Sequence, residues 1–262
     1  MGILAPVIIL GTIGAVFGLW LGFVEKLFAV SKDPRIERIF SLLPGSNCGA
    51  CGQAGCMGLA EALSSGDAKS VTCPAVHDQE RKTIAEIIGQ KDIHKEKTVA
   101  VLLCGGGNKC KDNYQYYGVK DCLAADLILK GPKACAFGCI GMANCLRACP
   151  FNAISMGDDG LPRIDRGKCL SCGKCVKACP RGLIAIVPRD KNYHIRCRSK
   201  DKGADTIKVC KAGCIACGKC VTACPAGAIE IKDNVAEINY SKCVNCGKCV
   251  TACPTKAIGK EA

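Results

Sequence analysis

Four stretches of this chain repeat one pattern, and that repeat leaves few ways for the chain to fold. They are Cys145-Leu-Arg-Ala-Cys149-Pro, Cys175-Val-Lys-Ala-Cys179-Pro, Cys220-Val-Thr-Ala-Cys224-Pro and Cys249-Val-Thr-Ala-Cys253-Pro. The proline fixes φ and has no N–H, so it ends a local turn. An isoleucine follows in each copy, at 154, 184, 229 and 258, spaced to pack against whatever the sulfurs hold. Complete C-x2-C-x2-C runs lead into three of the four: Cys169, Cys172, Cys175; Cys214, Cys217, Cys220; and Cys243, Cys246, Cys249. The copies fall in pairs, Cys149 with Cys179 and Cys224 with Cys253. This predicts two small modules, each with an internal pseudo-twofold.

Cysteine content decides what organises such modules. The 262 residues include 25 cysteines but only 5% aromatics, too few large buried rings for one big apolar core. Small domains nucleated by bound groups fit better. Disulfides would suit a secreted chain, but sulfurs packed at C-x2-C-x2-C are too tightly spaced to act as long-loop staples. Metal ligation in a reducing compartment is the reading.

The C-x2-C-x2-C-x3-C-P run is that of two-cluster bacterial ferredoxins, whose fourth cysteine ligates the other cluster. Crossed ligation then follows. In the second module Cys214, Cys217, Cys220 and Cys253 hold one [4Fe-4S] cluster, and Cys224, Cys243, Cys246 and Cys249 the other. In the first, Cys149, Cys169, Cys172 and Cys175 hold one. Its partner is irregular, because GCIGMANC at 138–145 aligns with GCIACGKC at 213–220 and Met142 stands where Cys217 stands. Cys135 is expected to replace the missing ligand, giving Cys135, Cys139, Cys145 and Cys179. Its counterpart Cys210 competes with Cys217 in the second module, and conventional spacing favours Cys217.

The amino-terminal segment is different in kind. From Ile3 to Val24 there is no charge. At helical rise such a run spans about 33 Å, which suits a bilayer core. A cleaved signal peptide would need a basic start and a small-residue cleavage site, and neither is evident. Glycines 11, 14, 18 and 22 form a small-residue stripe that would let another helix approach. Lys26, Lys32, Arg35 and Arg38 all follow the run, so the cluster domains are expected on the cytoplasmic side of an inner membrane. Asp33-Pro34 then opens a short helix. Cys48, Cys51, Cys56 and Cys73 come next, with glycines that let the backbone wrap a bound group. Zinc sites use two separated pairs, whereas three sulfurs crowd one loop here, so [4Fe-4S] is favoured and [2Fe-2S] stays open. Helices are expected at about 57–64 and 75–88.

The fold class is therefore α+β: a single transmembrane helix, a small Fe-S domain, then two ferredoxin-like modules. The expected divisions are 1–30, 31–90, a linking segment 91–134, then modules at 135–190 and 191–262. Cys104, Cys110, Cys122, Cys197 and Cys210 are left over. They offer a candidate sixth cluster on Cys104, Cys110 and Cys122 with Cys197 or Cys210, weighed against a role as buried structural thiols. The TVAVLL run before Cys104 reads as a strand, and GGGNKC matches no nucleotide loop. His77, His94 and His194 read as surface residues, and no catalytic pair stands out. The formal charge of +13 mostly balances at least five clusters at about −2 each, so no nucleic-acid partner is inferred.

In order, these features resemble the B subunit of the Rnf complex, the ion-translocating ferredoxin:NAD oxidoreductase, in its longer clostridial form. The most specific element is the apolar anchor joined to Cys48-x2-Cys51-x4-Cys56-x16-Cys73. The resemblance implies a translocase subunit that takes electrons from soluble ferredoxin and passes them to membrane and flavin subunits. NAD reduction and Na+ or H+ transport would then occur elsewhere in the complex. The competing readings are a membrane-anchored polyferredoxin serving a hydrogenase or corrinoid protein, and a zinc-scaffolded interaction protein.

Overall fold

The structure, a computed structural model, describes residues 4–27, 33–68, 71, 73–90 and 97–260. Ile3, Lys32 and His94, named above, lie outside the described residues.

Helix α1 (Leu4–Leu27) runs for 24 residues. Its described apolar side chains begin at Ile8, and most of them, including Leu10, Leu19 and Trp20, are exposed. Nothing lies within 4 Å of a Cβ built on Gly11, Gly14, Gly18 or Gly22, so the stripe meets no neighbour among the described residues. Among the described residues no helix is long and apolar enough to cross a membrane.

A three-helix unit follows. Helix α2 (Pro34–Leu42) starts at Asp33, whose carboxylate accepts from the Arg35 N–H at 2.9 Å as an N-cap. Helix α3 (Cys56–Ser65) ends at Gly66 in the left-handed region. Helix α4 (Asp78–Ile87) begins later than the expected 75, because Ala75 and Val76 are buried in the unit's core instead. Ile39, Leu59, Leu63 and Ile84 fill that core together with Cys56 and Cys73.

The remainder repeats one plan twice. In the first module β1 (Thr98–Leu102) precedes α5 (Cys122–Leu127), α6 (Asn144–Arg147), the hairpin β2 (Ile154–Met156) and β3 (Pro162–Ile164), α7 (Lys174–Ala178) and β4 (Ile184–Pro188). Strand β1 lies antiparallel to β4, with Ala100 opposite Ile186, so residues 98–102 belong to the module's own core rather than to a linker. In the second module β5 (Tyr193–Ile195) leads to α8 (Gly203–Val209), α9 (Lys219–Thr222), the hairpin β6 (Ile229–Lys232) and β7 (Val235–Ile238), α10 (Lys248–Ala252) and β8 (Ile258–Lys260). Here β5 pairs with β8 as β1 pairs with β4. Asp233 and Asn234, both at positive φ, make the tight β6–β7 turn. Helix α6 packs on α7, and α9 on α10. Ile154, Ile184, Ile229 and Ile258 are all buried in their module cores, one per repeat.

His194 corrects the surface assignment. It is fully buried, and its Nδ1 lies 2.9 Å from the Tyr240 hydroxyl. Tyr240 comes from a distant part of the chain, which the local sequence around His194 cannot reveal. His77 is exposed.

Candidate iron–sulfur sites

The cysteine loops have a recurrent backbone shape. Ser171, Ala216 and Asn245 sit at φ of 55°, 53° and 58°, each just before the middle cysteine of its run. Gly173, Gly218 and Gly247 follow that cysteine at φ of 76°, 74° and 77°. Alternation between right- and left-handed residues turns successive N–H groups inward and forms a nest suited to an anion. A cubane on four thiolates is such an anion. The fourth loop keeps the shape without the middle sulfur: Gly141 has φ 85° and Ala143 φ 61°, on either side of Met142.

A second device repeats after each Cys-Pro. Asn152, Gly182, Gly227 and Lys256 all take positive φ, folding the chain back over the preceding sulfur. The Cys149, Cys179 and Cys224 sulfurs then accept from the N–H of Ala153, Leu183 and Ala228 at 3.4, 3.4 and 3.3 Å. Donors aimed at ligand sulfurs stabilise a more negative cluster and so tune its potential.

The side chains gather into sets of sulfurs. Cys149, Cys169, Cys172 and Cys175 line a cavity of about 320 Å³. Cys214, Cys217, Cys220 and Cys253 line one of about 340 Å³, and Cys210 is not among its lining residues. Cys249 interacts electrostatically with Cys243 and Cys246, and Cys224 packs against the same core. In the three-helix unit Cys73 interacts with Cys48, Cys51 and Cys56. There Asn47 Oδ1 accepts from the Cys56 N–H at 2.8 Å. A Cβ on Gly55 would come within 2.9 Å of that oxygen, so the loop closes only around glycine.

One expected set is corrected. Cys139, Cys145 and Cys179 share a cavity of about 410 Å³ with Cys122, not with Cys135. The cause lies in the turn before α5. Asp121 caps that helix, accepting from the N–H of Leu123 and Ala124 at 2.8 and 2.9 Å. Asn144, next to Cys145, accepts from the Cys122 N–H at 2.8 Å and donates to Asp121 at 2.7 Å. Cys122 is thereby fixed beside α6. Cys135 lines a separate cavity with Cys104 and Cys110, so Cys122 also drops out of the sixth set expected from the sequence.

Burial, reinforced by neighbouring sulfurs, pushes the thiols of Cys139 and Cys175 up to about 12 and those of Cys135, Cys145 and Cys249 up to about 11. Crowded, desolvated thiols resist ionising unless a cation accompanies them. Iron supplies that charge. Among the described residues no three His, Cys, Asp or Glu side chains converge on a point that could hold a single metal ion. Thiolates around one zinc, at about 2.3 Å each, would have to lie closer together than sets that surround a cavity. The donor chemistry, nests and cavities fit a cubane.

Family models agree with this. The model described as a 4Fe-4S dicluster domain matches residues 138–183 and 213–257, and a second with the same description matches 168–229. A model described as a putative Fe-S cluster matches 43–75. The chain is 42% identical over 92% of its length, and 72% of the relative's, to the B subunit of the Na+-translocating ferredoxin:NAD+ oxidoreductase complex of Acetobacterium woodii. It is 41% identical to the B subunit of the ion-translocating oxidoreductase complex of Methanosarcina acetivorans, covering 89% of both chains. The B subunit of the proton-translocating ferredoxin:NAD+ oxidoreductase complex of Clostridium ljungdahlii is 40% identical, over 89% of this chain and 83% of the relative. The chain belongs to the family of Rnf B subunits. As a member of it, the chain carries several [4Fe-4S] clusters, within the matched segments that hold most of its cysteines.

Proposed function

We propose that this Rnf B subunit relays single electrons from reduced ferredoxin, through its clusters, towards flavin and NAD-reducing subunits of a complex that translocates Na+ or H+. The observation that carries the reading is continuity between the cysteine sets. Cys172 interacts electrostatically with Cys48, and Phe151 and Leu170 of the first module pack on the core of the three-helix unit. Cys175 likewise feels Cys145, and Cys249 feels Cys220, so the two sets within each module are also neighbours.

The ligand sets we assign are Cys48, Cys51, Cys56 and Cys73; Cys149, Cys169, Cys172 and Cys175; Cys122, Cys139, Cys145 and Cys179; Cys214, Cys217, Cys220 and Cys253; and Cys224, Cys243, Cys246 and Cys249. When bound, each cluster supplies a one-electron couple. The chain's own residues shield part of it, direct N–H groups at its sulfurs and hold neighbouring sites in sequence.

We further assign α1, which over its described residues does not reach the length and hydropathy of a membrane span, as a single membrane anchor with the cluster domains on the cytoplasmic side. In support, the sequence carries no charge from Ile3 to Val24, the helix is 24 residues long, and its described apolar side chains are left exposed. An apolar surface of that extent is stable only in lipid or against a partner. Removal of residues 1–30 should release the protein from membrane vesicles. Retention of the truncated chain would show that partners alone hold it.

Anaerobic redox titration followed by electron paramagnetic resonance tests the relay. Ferredoxin-type clusters should titrate near about −400 mV and be reduced by ferredoxin. Finding every centre above 0 mV would end the reading.

A further inference from the structure

Five cysteines remain at the junction between the two modules, unused by the five sets above, and four of them build a site. We propose that Cys104, Cys110, Cys135 and Cys210 hold a sixth [4Fe-4S] cluster that joins the two ferredoxin modules. The inference rests on the relay reading and revises the sixth set offered by the sequence, with Cys135 in place of Cys122 and Cys210 chosen over Cys197.

The junction is made by backbone pairing. Cys110 and Cys210 are opposite each other in an antiparallel bridge, with Lys111 N–H bonded to Val209 O at 2.9 Å and Lys211 N–H to Lys109 O at 3.1 Å. Cys110, Cys135 and Cys210 form one small buried cluster. Cys135 and Cys210 stand four residues before Cys139 and Cys214, the first loop cysteines of the two modules, so each module sends one equivalent sulfur to the same place. Cys104, just beyond β1, completes the set. A Cβ on Gly106 would meet the Cys210 sulfur at 3.5 Å and the Cys104 sulfur at 3.6 Å, which places both around one glycine.

The surroundings suit an anion. Arg196 and Arg198 are among the residues that line the cavity. Arg196 Nε is buried with no hydrogen-bond partner among the described residues. Positive charge at the lining favours an anionic cluster.

Position gives the role. The Cys104 sulfur accepts from the Cys139 N–H at 3.4 Å, and Cys139 lines both this cavity and the neighbouring one. On the other side, Ala212 and Gly213 line the cavity and lead directly into Cys214. When a preassembled [4Fe-4S]2+ core binds, four thiols release four protons and four Fe–S bonds form. No electron moves, and the site carries a charge of about −2. Held by these four cysteines, a cluster would supply a one-electron couple between the sites of the two modules. Cys197 also lines the cavity and interacts with Cys104 and Cys135 as well as Cys214; we give the fourth place to Cys104, whose sulfur lies with that of Cys210 around Gly106, and leave Cys197 outside the set.

Iron and acid-labile sulfide on anaerobically purified full-length protein test the site. Six cubanes require about 24 irons per chain and five about 20. Wild type should give the higher count, Cys110→Ala/Cys210→Ala about four fewer, and Cys197→Ala no loss. The spin integral after dithionite reduction should fall by one cluster in the double variant alone. A wild-type count near 20 with five reducible clusters would overturn the sixth site and leave the relay standing. Loss of about four irons in Cys197→Ala would overturn the ligand set. Should the double variant fail to fold, the wild-type iron and spin counts decide whether the site exists, and Cys197→Ala still tests the set.

Discussion

Asn144 Oδ1 accepts a hydrogen bond from the backbone N–H of Cys122 at 2.8 Å, joining residues 22 apart in sequence. Through this bond a cysteine from an otherwise separate turn reaches a loop that has Met142 where its three sister loops have a cysteine. The same amide donates to Asp121, so one side chain sets both the position and the cap of α5.

Asn144→Ala should therefore weaken one cluster selectively. Three side-chain hydrogen bonds are lost, to Cys122, Asp121 and Arg147, at roughly 0.5–1.5 kcal/mol each. Under mild chelation the variant should release about four irons sooner than wild type. Cys122→Ala should lack those irons from the start. Full occupancy of this cluster in Cys122→Ala, by iron analysis and resonance, would restore Cys135 as the ligand.

Spacing could not point to Cys122 beside this loop, for a physical reason. The grouping of Cys214, Cys217 and Cys220 with Cys253 around one cavity could be read by counting, because the fourth cysteine lies in a sister repeat. The N-cap at Asp33 and the strand before Cys104 were readable from local sequence. Cys122 has no repeat to mark it, and only the Asn144 side chain connects it to its partners. Cys135 was seen as the counterpart of Cys210, but counting could not show that the two counterparts face each other across the module junction. His194 was misread because its burial depends on Tyr240 and on the β5–β8 pairing, both remote in sequence.

Arg181, in the turn after Cys179, clamps the segment that carries Cys135. Its guanidinium donates to Asp126 at 2.9 Å, to the Cys135 carbonyl at 3.1 Å and to the carbonyls of Gly138 and Lys130. The Arg181 side chain is 5% exposed and that of Asp126 is 17% exposed. Arg181→Met leaves that carboxylate and three carbonyls short of donors. Breaking one side of a buried pair costs about 3–5 kcal/mol. Anaerobic denaturant titration of the cluster-loaded variant should show a loss of that order, and a loss below about 1 kcal/mol would remove the clamp from the account.

His194 gives the fold a sensitivity to acid. Burial, aided by Arg166 and Arg196, lowers its pKa from 6.5 to about 4. The neutral ring is thus favoured in the folded state, and this contribution is complete above pH 6.5. Between pH 6.5 and about 4 the unfolded chain takes up a proton that the folded chain refuses, so stability falls as pH falls. The full shift corresponds to about 3 kcal/mol. His194→Gln should lose stability at pH 7.5, where the Tyr240 contact is disrupted, yet show a flatter decline from pH 6.5 to 4.5. Parallel pH profiles in thermal melts would contradict this.

Cys253 separates crossed from uncrossed ligation in the second module. It comes after Cys243, Cys246 and Cys249 in the chain, yet it lines the cavity of Cys214, Cys217 and Cys220. Cys217 and Cys246 are the two cysteines exposed to solvent, which makes each a reporter for its own cluster. A thiolate bound to iron resists alkylation, and a thiol freed by cluster loss does not. Cys253→Ala should cost about four irons per chain and expose Cys217 to iodoacetamide, read by mass spectrometry of peptides, while Cys246 stays protected. Labelling of Cys246 with Cys217 protected would mean that each run binds its own cluster uncrossed.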